Sequence, residues 1–106
     1  MYVLGIESTA HTFGVGIIKD GEILANERDI YKPLNGGIIP GAASEHHYEL
    51  APSLIKRALD NANISLDRID LFTFSQGPGL LPCLKAGYQI TKFLASKYNK
   101  KLLKLK

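Results

Sequence analysis

The dipeptide Asp20-Gly21 stands between two strand-forming runs, "TFGVGII" (12–18) and "EILANERDIY" (22–31). An Asp-Gly pair accepts left-handed backbone at both central positions of a two-residue turn. The twist of that turn matches paired strands, so the two runs read as a tight hairpin. Upstream, "YVLGI" (2–6) is nearly continuous apolar, which predicts a strand covered on both faces. It is short and lacks a basic leader, so it reads as a strand and not as a signal peptide. The chain therefore opens on three strands in an antiparallel meander.

The glycine- and proline-rich "KPLNGGIIPGAA" (32–43) must be a loop. Ser44 is the expected N-cap of a first helix, with Glu45 in its first turn, where an acid suits the helix dipole. From there Leu50, Ala51, Leu54, Ile55, Ala58, Leu59 and Ala62 recur at helical spacing, predicting a helix over 44–63. Pro52 lies inside it and should bend it, because it removes one backbone donor and crowds the preceding turn. "ANISLDRI" leads to a fourth strand, "DLFTFS" (70–75). The loop "SQGPGL" (75–80) then opens a second helix, about Pro82 to Tyr98. Its inner side is expected to carry Leu84, Tyr88, Thr91, Leu94, Ala95 and Tyr98. "KLLKLK" (101–106) reads as a fifth strand, and there are no internal repeats.

The order βββαβαβ makes a mixed sheet with two helices packed on it. That is the α/β arrangement of a ribonuclease-H-like domain, and residues 1–106 form one such lobe. In actin-like ATPases two of these halves face each other across a nucleotide cleft, an analogy of fold that carries no function without a site.

A chain of 106 residues buries a real but modest core. Its net charge is +3, and five of its thirteen basic residues fall in the last ten positions, so the basic balance is weak evidence for nucleic-acid binding. A single cysteine, Cys83, rules out an internal disulfide framework and fits a reducing compartment. No apolar run approaches the length needed to cross a membrane. These features together point to a cytoplasmic domain.

Three stretches could carry chemistry. In "GIESTAHTFGVGI" (5–17), Glu7 follows a strand directly, at the carboxyl end where α/β ligand sites open. Ser8, Thr9 and Thr12 add hydroxyls and N–H groups suited to phosphate oxygens. The same residues could equally satisfy turn amides by local hydrogen bonding. In "ASEHHYELAP" (43–52), adjacent histidines point about 100° apart on a helix, so His46 and His47 do not easily grip one ion. The His-Glu-x-x-His spacing of helical zinc sites is absent. His47 should face the apolar side near Ala51 and Leu54 as a packed or hydrogen-bonded residue, with His46 to one flank. In "SQGPGL", Gly77 and Gly79 let the backbone turn N–H groups toward an anion at the start of a helix. It is not a Walker sequence, and Lys85 in the first helical turn opposes the dipole.

Taken together, "GIESTAHTFGVGI", "GGIIP" with "EHHYELAPSLI", and "FSQGPGLLPCLKAG" resemble the amino-terminal half of the universal tRNA threonylcarbamoyltransferase family. Its archaeal and eukaryotic members are the catalytic subunit of the KEOPS complex, formerly labelled O-sialoglycoprotein endopeptidase. The style of "EHHYELAP" is closer to archaeal members. The resemblance implies a two-lobed actin-like fold and transfer of a threonylcarbamoyl group from its adenylate to N6 of an adenosine beside the tRNA anticodon.

The resemblance also implies a nucleotide-binding set, Glu7, Ser8, Thr9, Thr12, Gly77 and Gly79, lining one cleft. It implies a metal ion (iron, zinc or magnesium) and threonylcarbamoyl-adenylate or ATP for the family, with no cofactor and no metal-binding residue expected in this chain alone. The family's His-x-x-x-His pair lies after the fifth strand, where this chain ends, and a metal-binding aspartate belongs to a second lobe. Gly41 and Ala42 stand where an acidic residue is usual after "GGIIP", and Lys85 where an arginine is usual.

The chain thus reads as the first lobe of the transferase, inactive alone and meeting tRNA only in the complete enzyme. The alternative is a non-catalytic interaction module that forms a homodimer or binds KEOPS-type subunits through its two helices. A sugar- or acetate-kinase lobe is a weaker third reading, opposed by "SQGPGL".

Overall fold

The structure is a computed structural model that describes residues 1–33 and 39–105. Three strands come first: β1 Tyr2–Glu7, β2 Thr12–Lys19 and β3 Glu22–Ile30. Helix α1 spans Pro40–Ala62, β4 Leu71–Ser75, α2 Leu81–Lys97 and β5 Lys101–Leu105. The sheet order is β3-β2-β1-β4-β5. β1 pairs antiparallel with β2 and parallel with β4, and β4 is parallel to β5. This is the mixed α/β sheet that the element order predicts. Asp20 and Gly21 both take left-handed backbone, with φ of 49° and 85°, as the hairpin requires.

Both helices pack against each other on one face, α1 over β2 and β3 and α2 over β4, β5 and β1. Alternation along the strands supplies the core. Leu4 and Ile6 of β1, Phe13, Val15 and Ile17 of β2 and Phe72 of β4 point under the helices, where Leu54, Ala58 and Ala95 meet them. Tyr2, Val3 and Gly5 are only half-buried, so β1 is covered on one face, not two as its apolar run suggests. Glycine supplies part of that apolar count without a side chain to bury.

Several expected boundaries move. Ser44 does not cap α1, which begins four residues earlier with Ile39 as N-cap and no side-chain cap bond. The Ser44 hydroxyl donates instead to the Gly41 carbonyl at 2.9 Å, the back-bond of a serine already inside a helix. A proline at the first helical position explains the early start, since its fixed φ suits the helix and its missing N–H is no loss there. No acidic residue occupies the first turn. α1 runs continuously through Pro52, which is exposed on its surface. "GGI" of the "GGIIP" motif and Lys106 lie outside the described residues. A single 3-10 turn, Leu66–Arg68, forms within the link before β4.

On α2 the buried stripe is Cys83, Ala86, Gly87, Thr91, Leu94 and Ala95, shifted from the expected one. Leu84, Tyr88 and Tyr98 are half-buried at its margins. Small residues win the inner face because they let the helix lie close to the sheet.

Candidate functional site: the turn after β1 and the loop before α2

β1 and β4 are parallel neighbours, so their carboxyl ends open on the same side of the sheet. The turn 8–11 follows β1, and the loop 76–80 follows β4. The two meet through main chain. The Leu80 N–H donates to the Thr9 carbonyl at 2.6 Å. Gly79 lies so near Thr9 that a Cβ built on it would stand 2.2 Å from that carbonyl oxygen, so only glycine fits.

One residue back, Ser8 is buried and its hydroxyl donates to the Cys83 carbonyl in the first turn of α2 at 2.9 Å. Gly87, one turn further along, admits that close approach, since a Cβ there would meet the Ser8 Cβ at 3.0 Å. The Gln76 N–H donates to the Leu105 carbonyl, at 2.6 Å, which anchors the start of the loop to β5. Gly77 has φ of 141°, and the Gly77–Pro78 peptide is cis.

The structure brings Thr9 and Gly79 into direct contact, with Gly77 two residues from the junction and Ser8 bonded instead to the first turn of α2. Thr12 opens β2 opposite Ile30 and is half-buried. Glu7 stands apart. It is exposed on the sheet face that the helices leave uncovered, where it lines a shallow hollow of about 180 Å³ with Gly14, Arg28 and Ser75. Glu7 and Ser8 therefore present to opposite faces of the sheet. What the turn offers a ligand is main chain and the Thr9 and Thr12 side chains, because the Ser8 hydroxyl is already committed to α2.

The turn is held from its other side by α1. His47 is fully buried, packs its ring 5.6 Å from that of Phe13, and contacts the Ala10 carbonyl through Nε2 at 2.6 Å. Its Nδ1 is 2.9 Å from Nδ1 of His46, whose Nε2 in turn faces Asp29 Oδ1 at 2.9 Å. The expected packed histidine is what the structure shows. Burial pushes the His47 pKa down, opposed by the bond to Ala10, so the ring is neutral at neutral pH. Burial likewise raises the Cys83 thiol, which is inert in the core.

Sequence reasoning did not anticipate that Cys83, Gly87 and Ala10 take part. For Gly87 a signal existed, because glycine inside a helix costs stability and marks a close approach. For the Ala10 and Cys83 carbonyls there was none, since any residue supplies a carbonyl.

A second concavity lies between the helices. An apolar groove of about 770 Å³ is lined by Tyr48, Pro52, Ile55, Ile90, Phe93 and Tyr98, among others. Phe93 is 64% exposed at its edge.

The family model for TsaD, tRNA N6-adenosine threonylcarbamoyltransferase, matches residues 21–106. The chain is 53% identical over 104 residues to the tRNA N6-adenosine threonylcarbamoyltransferase of Caldivirga maquilingensis, covering 97% of this chain and 31% of that protein. It is 51% identical over 105 residues to the protein of the same name from Saccharolobus islandicus strain Y.G.57.14, covering 97% and 32%. The chain thus spans about a third of the length of these curated relatives.

Among solved structures, YeaZ from Pseudomonas aeruginosa superposes with a TM-score of 0.79 at 18% identity, over 99% of this chain and 44% of that one. RuvC from T. thermophilus, solved with a Holliday junction substrate, gives 0.61 at 12% identity, over 99% and 64%. A ROK hexokinase from Thermus thermophilus gives 0.54 at 16% identity, over 99% and 35%. These likenesses are of fold alone and place the sheet and helices in the ribonuclease-H-like, actin-like class.

Proposed function

Because this chain belongs to the tRNA N6-adenosine threonylcarbamoyltransferase family, we propose that it forms one wall of that enzyme's adenylate site. The wall is the joined turn and loop, with the main chain of Ser8, Thr9, Gly77 and Gly79 and the hydroxyls of Thr9 and Thr12 turned to the phosphate. Glu7 presents to the opposite face of the sheet and lines a separate hollow, so it is left out of that wall. The single observation that carries this reading is the Leu80–Thr9 hydrogen bond over Gly79. It fuses two glycine- and hydroxyl-bearing segments at the carboxyl ends of adjacent parallel strands, where α/β folds bind ligands.

The acyl transfer itself needs acceptor, donor and electrophilic assistance held together, and half a cleft does not preorganise them. Among the described residues no three His, Cys, Asp or Glu side chains gather as a metal site. His46 and His47 are spent on each other and on their neighbours. The residues present do not fit the metal ion of the family, so that chemistry falls to the part of the relatives that this chain does not span. tRNA is met only in the complete enzyme, and the whole reaction belongs to the cytoplasm.

A titration of the 15N-labelled chain with ATP tests the site. Weak binding is expected, with amide shifts at residues 8–12 and 77–80, since a ligand held on one side keeps much of its surface in water. Shifts centred elsewhere, or none at millimolar ATP, overturn the assignment.

The groove between α1 and α2 favours a second role for the same chain, an association surface. Its apolar lining and the exposed Phe93 ring suit a second copy of this chain, or a KEOPS-type subunit in the complete enzyme. This role requires no chemistry.

A further inference from the structure

The sheet face that the helices leave uncovered carries the hollow of about 180 Å³, which the adenylate wall does not use. Its floor is glycine. Gly5 of β1 stands opposite Gly16 of β2, and Gly14 stands between Glu7 of β1 and Arg28 of β3. Glycine inside a strand weakens it, and marks a place where a ligand or another backbone comes close. Packing within the lobe does not demand it at two of these positions. A Cβ on Gly14 or Gly16 would meet nothing nearer than 3.7 Å.

Thr73 of β4 lies opposite Gly5 and is only 5% exposed. Its hydroxyl stands 3.0 Å from where a Gly5 Cβ would be, so it sits over the glycine floor. Among the described residues that hydroxyl has no hydrogen-bond partner. A hydroxyl taken from water without a partner is costly, so one that opens on a hollow points to a group that fills it. Glu7 and Arg28 line the same hollow, and among the described residues neither forms an ion pair. A carboxylate and a guanidinium thus border one small space from opposite sides of Gly14.

We propose that this hollow binds a small zwitterion, an α-amino acid with a short polar side chain. Glu7 accepts from the ammonium group, and Arg28 grips the carboxylate with its forked guanidinium. The Thr73 hydroxyl bonds the polar side chain, and the glycine floor lets the ligand lie against the main chain. Volume limits the choice. The hollow has room for about six waters at about 30 Å³ each, whereas sites for drug-sized ligands start at roughly 300 Å³. Charge limits it further, because a simple anion leaves Glu7 without a partner and a simple cation leaves Arg28 without one. The site lies across the sheet from Ser8, so it stands independently of the adenylate wall.

L-serine is the probe. Ethanolamine is serine without its carboxylate, and 3-hydroxypropionate is serine without its ammonium group. Added to the 15N-labelled chain, serine should shift the amides of Gly5, Gly14, Gly16 and Thr73 and saturate at about 1–10 mM, a strength within reach of so small a ligand. Each analogue should bind about tenfold more weakly, the weight of one hydrogen bond to a charged group. Glu7→Gln should erase the preference over 3-hydroxypropionate, and Arg28→Gln the preference over ethanolamine. Gly16→Ala raises the floor without a clash, so it should unfold no lower than the parent yet bind serine about tenfold more weakly or worse.

No shifts at about 10 mM serine would overturn the site. So would an equal response to serine and to either analogue, which would mean a lone counter-ion at Glu7 or Arg28. If a variant does not fold, the three probes on the parent chain still decide.

Discussion

Gly79 and Thr9 approach so closely that no side chain fits between them, and the Leu80 N–H closes on the Thr9 carbonyl at 2.6 Å. In Gly79→Ala the new methyl would start 2.2 Å from that oxygen, a backbone atom that cannot swing aside. The variant should lose about 1–3 kcal/mol of stability, the usual cost of overpacking. Gly41→Ala serves as a control, because nothing lies within 4 Å of its Cβ position. It should stay within about 0.5 kcal/mol of the parent or gain. Urea midpoints compare the two, and equal midpoints would sink the close-contact account.

Ser8→Ala removes a buried donor and leaves the Cys83 carbonyl without that partner. The Cys83 carbonyl keeps its place in the hydrogen-bond ladder of α2, so the loss is that of one ordinary hydrogen bond, about 0.5–1.5 kcal/mol. Ser8→Thr should be no rescue, because its added methyl enters the space that Gly87 keeps clear. Thermal unfolding of both variants checks this, and a neutral Ser8→Ala would show that water replaces the hydroxyl.

His47 gives the stability a dependence on pH whose sign can be worked out. Burial holds its folded pKa below the ordinary value of 6.5, so the unfolded chain takes up the proton first as pH falls. Its contribution is complete above about 6.5 and drains away as pH falls through that value toward the folded one. Denaturation at about pH 7.5 and about pH 5 should therefore show a loss that is smaller in His47→Gln, which has no such proton to bind. Equal losses in both proteins would mean that other groups carry the acid sensitivity.

Most of the fold was legible because strand alternation, the Asp20-Gly21 turn and the spacing in α1 all have a period that sequence displays directly. The start of α1 was not. Ser44 looks like a cap, yet proline at the first helical position fixes the backbone earlier and capping serines lose that competition. The covered face of β1 was misjudged because Gly5 breaks the apolar run without marking a polar side. At the site, Gly79 approaches the Thr9 carbonyl, while Ser8 bonds the carbonyl of Cys83 and His47 that of Ala10, and no side-chain pattern encodes those partners.

The groove between the helices predicts association. Phe93 stands at its edge and is largely exposed, so Phe93→Lys should leave the unfolding temperature unchanged while reducing self-association. Light scattering at micromolar concentration should give a dimer for the parent and a monomer for the variant. A monomeric parent would remove the second-copy reading. Thr91 is buried against the sheet and takes no part in such a surface.

Ala10 is bonded to His47, Thr9 to Leu80 and Ser8 to Cys83. Three consecutive residues are thus held by segments 37 to 75 positions away, and by almost nothing local. Such a turn cannot take shape in a growing or partly ordered chain. Closing those long loops costs entropy that only the docked helices return. Order at the turn therefore arrives last and leaves with the whole domain, and its slowest-exchanging amide should open at the rate and free energy of global unfolding. A ligand that grips this turn would act on the folding equilibrium of the entire lobe.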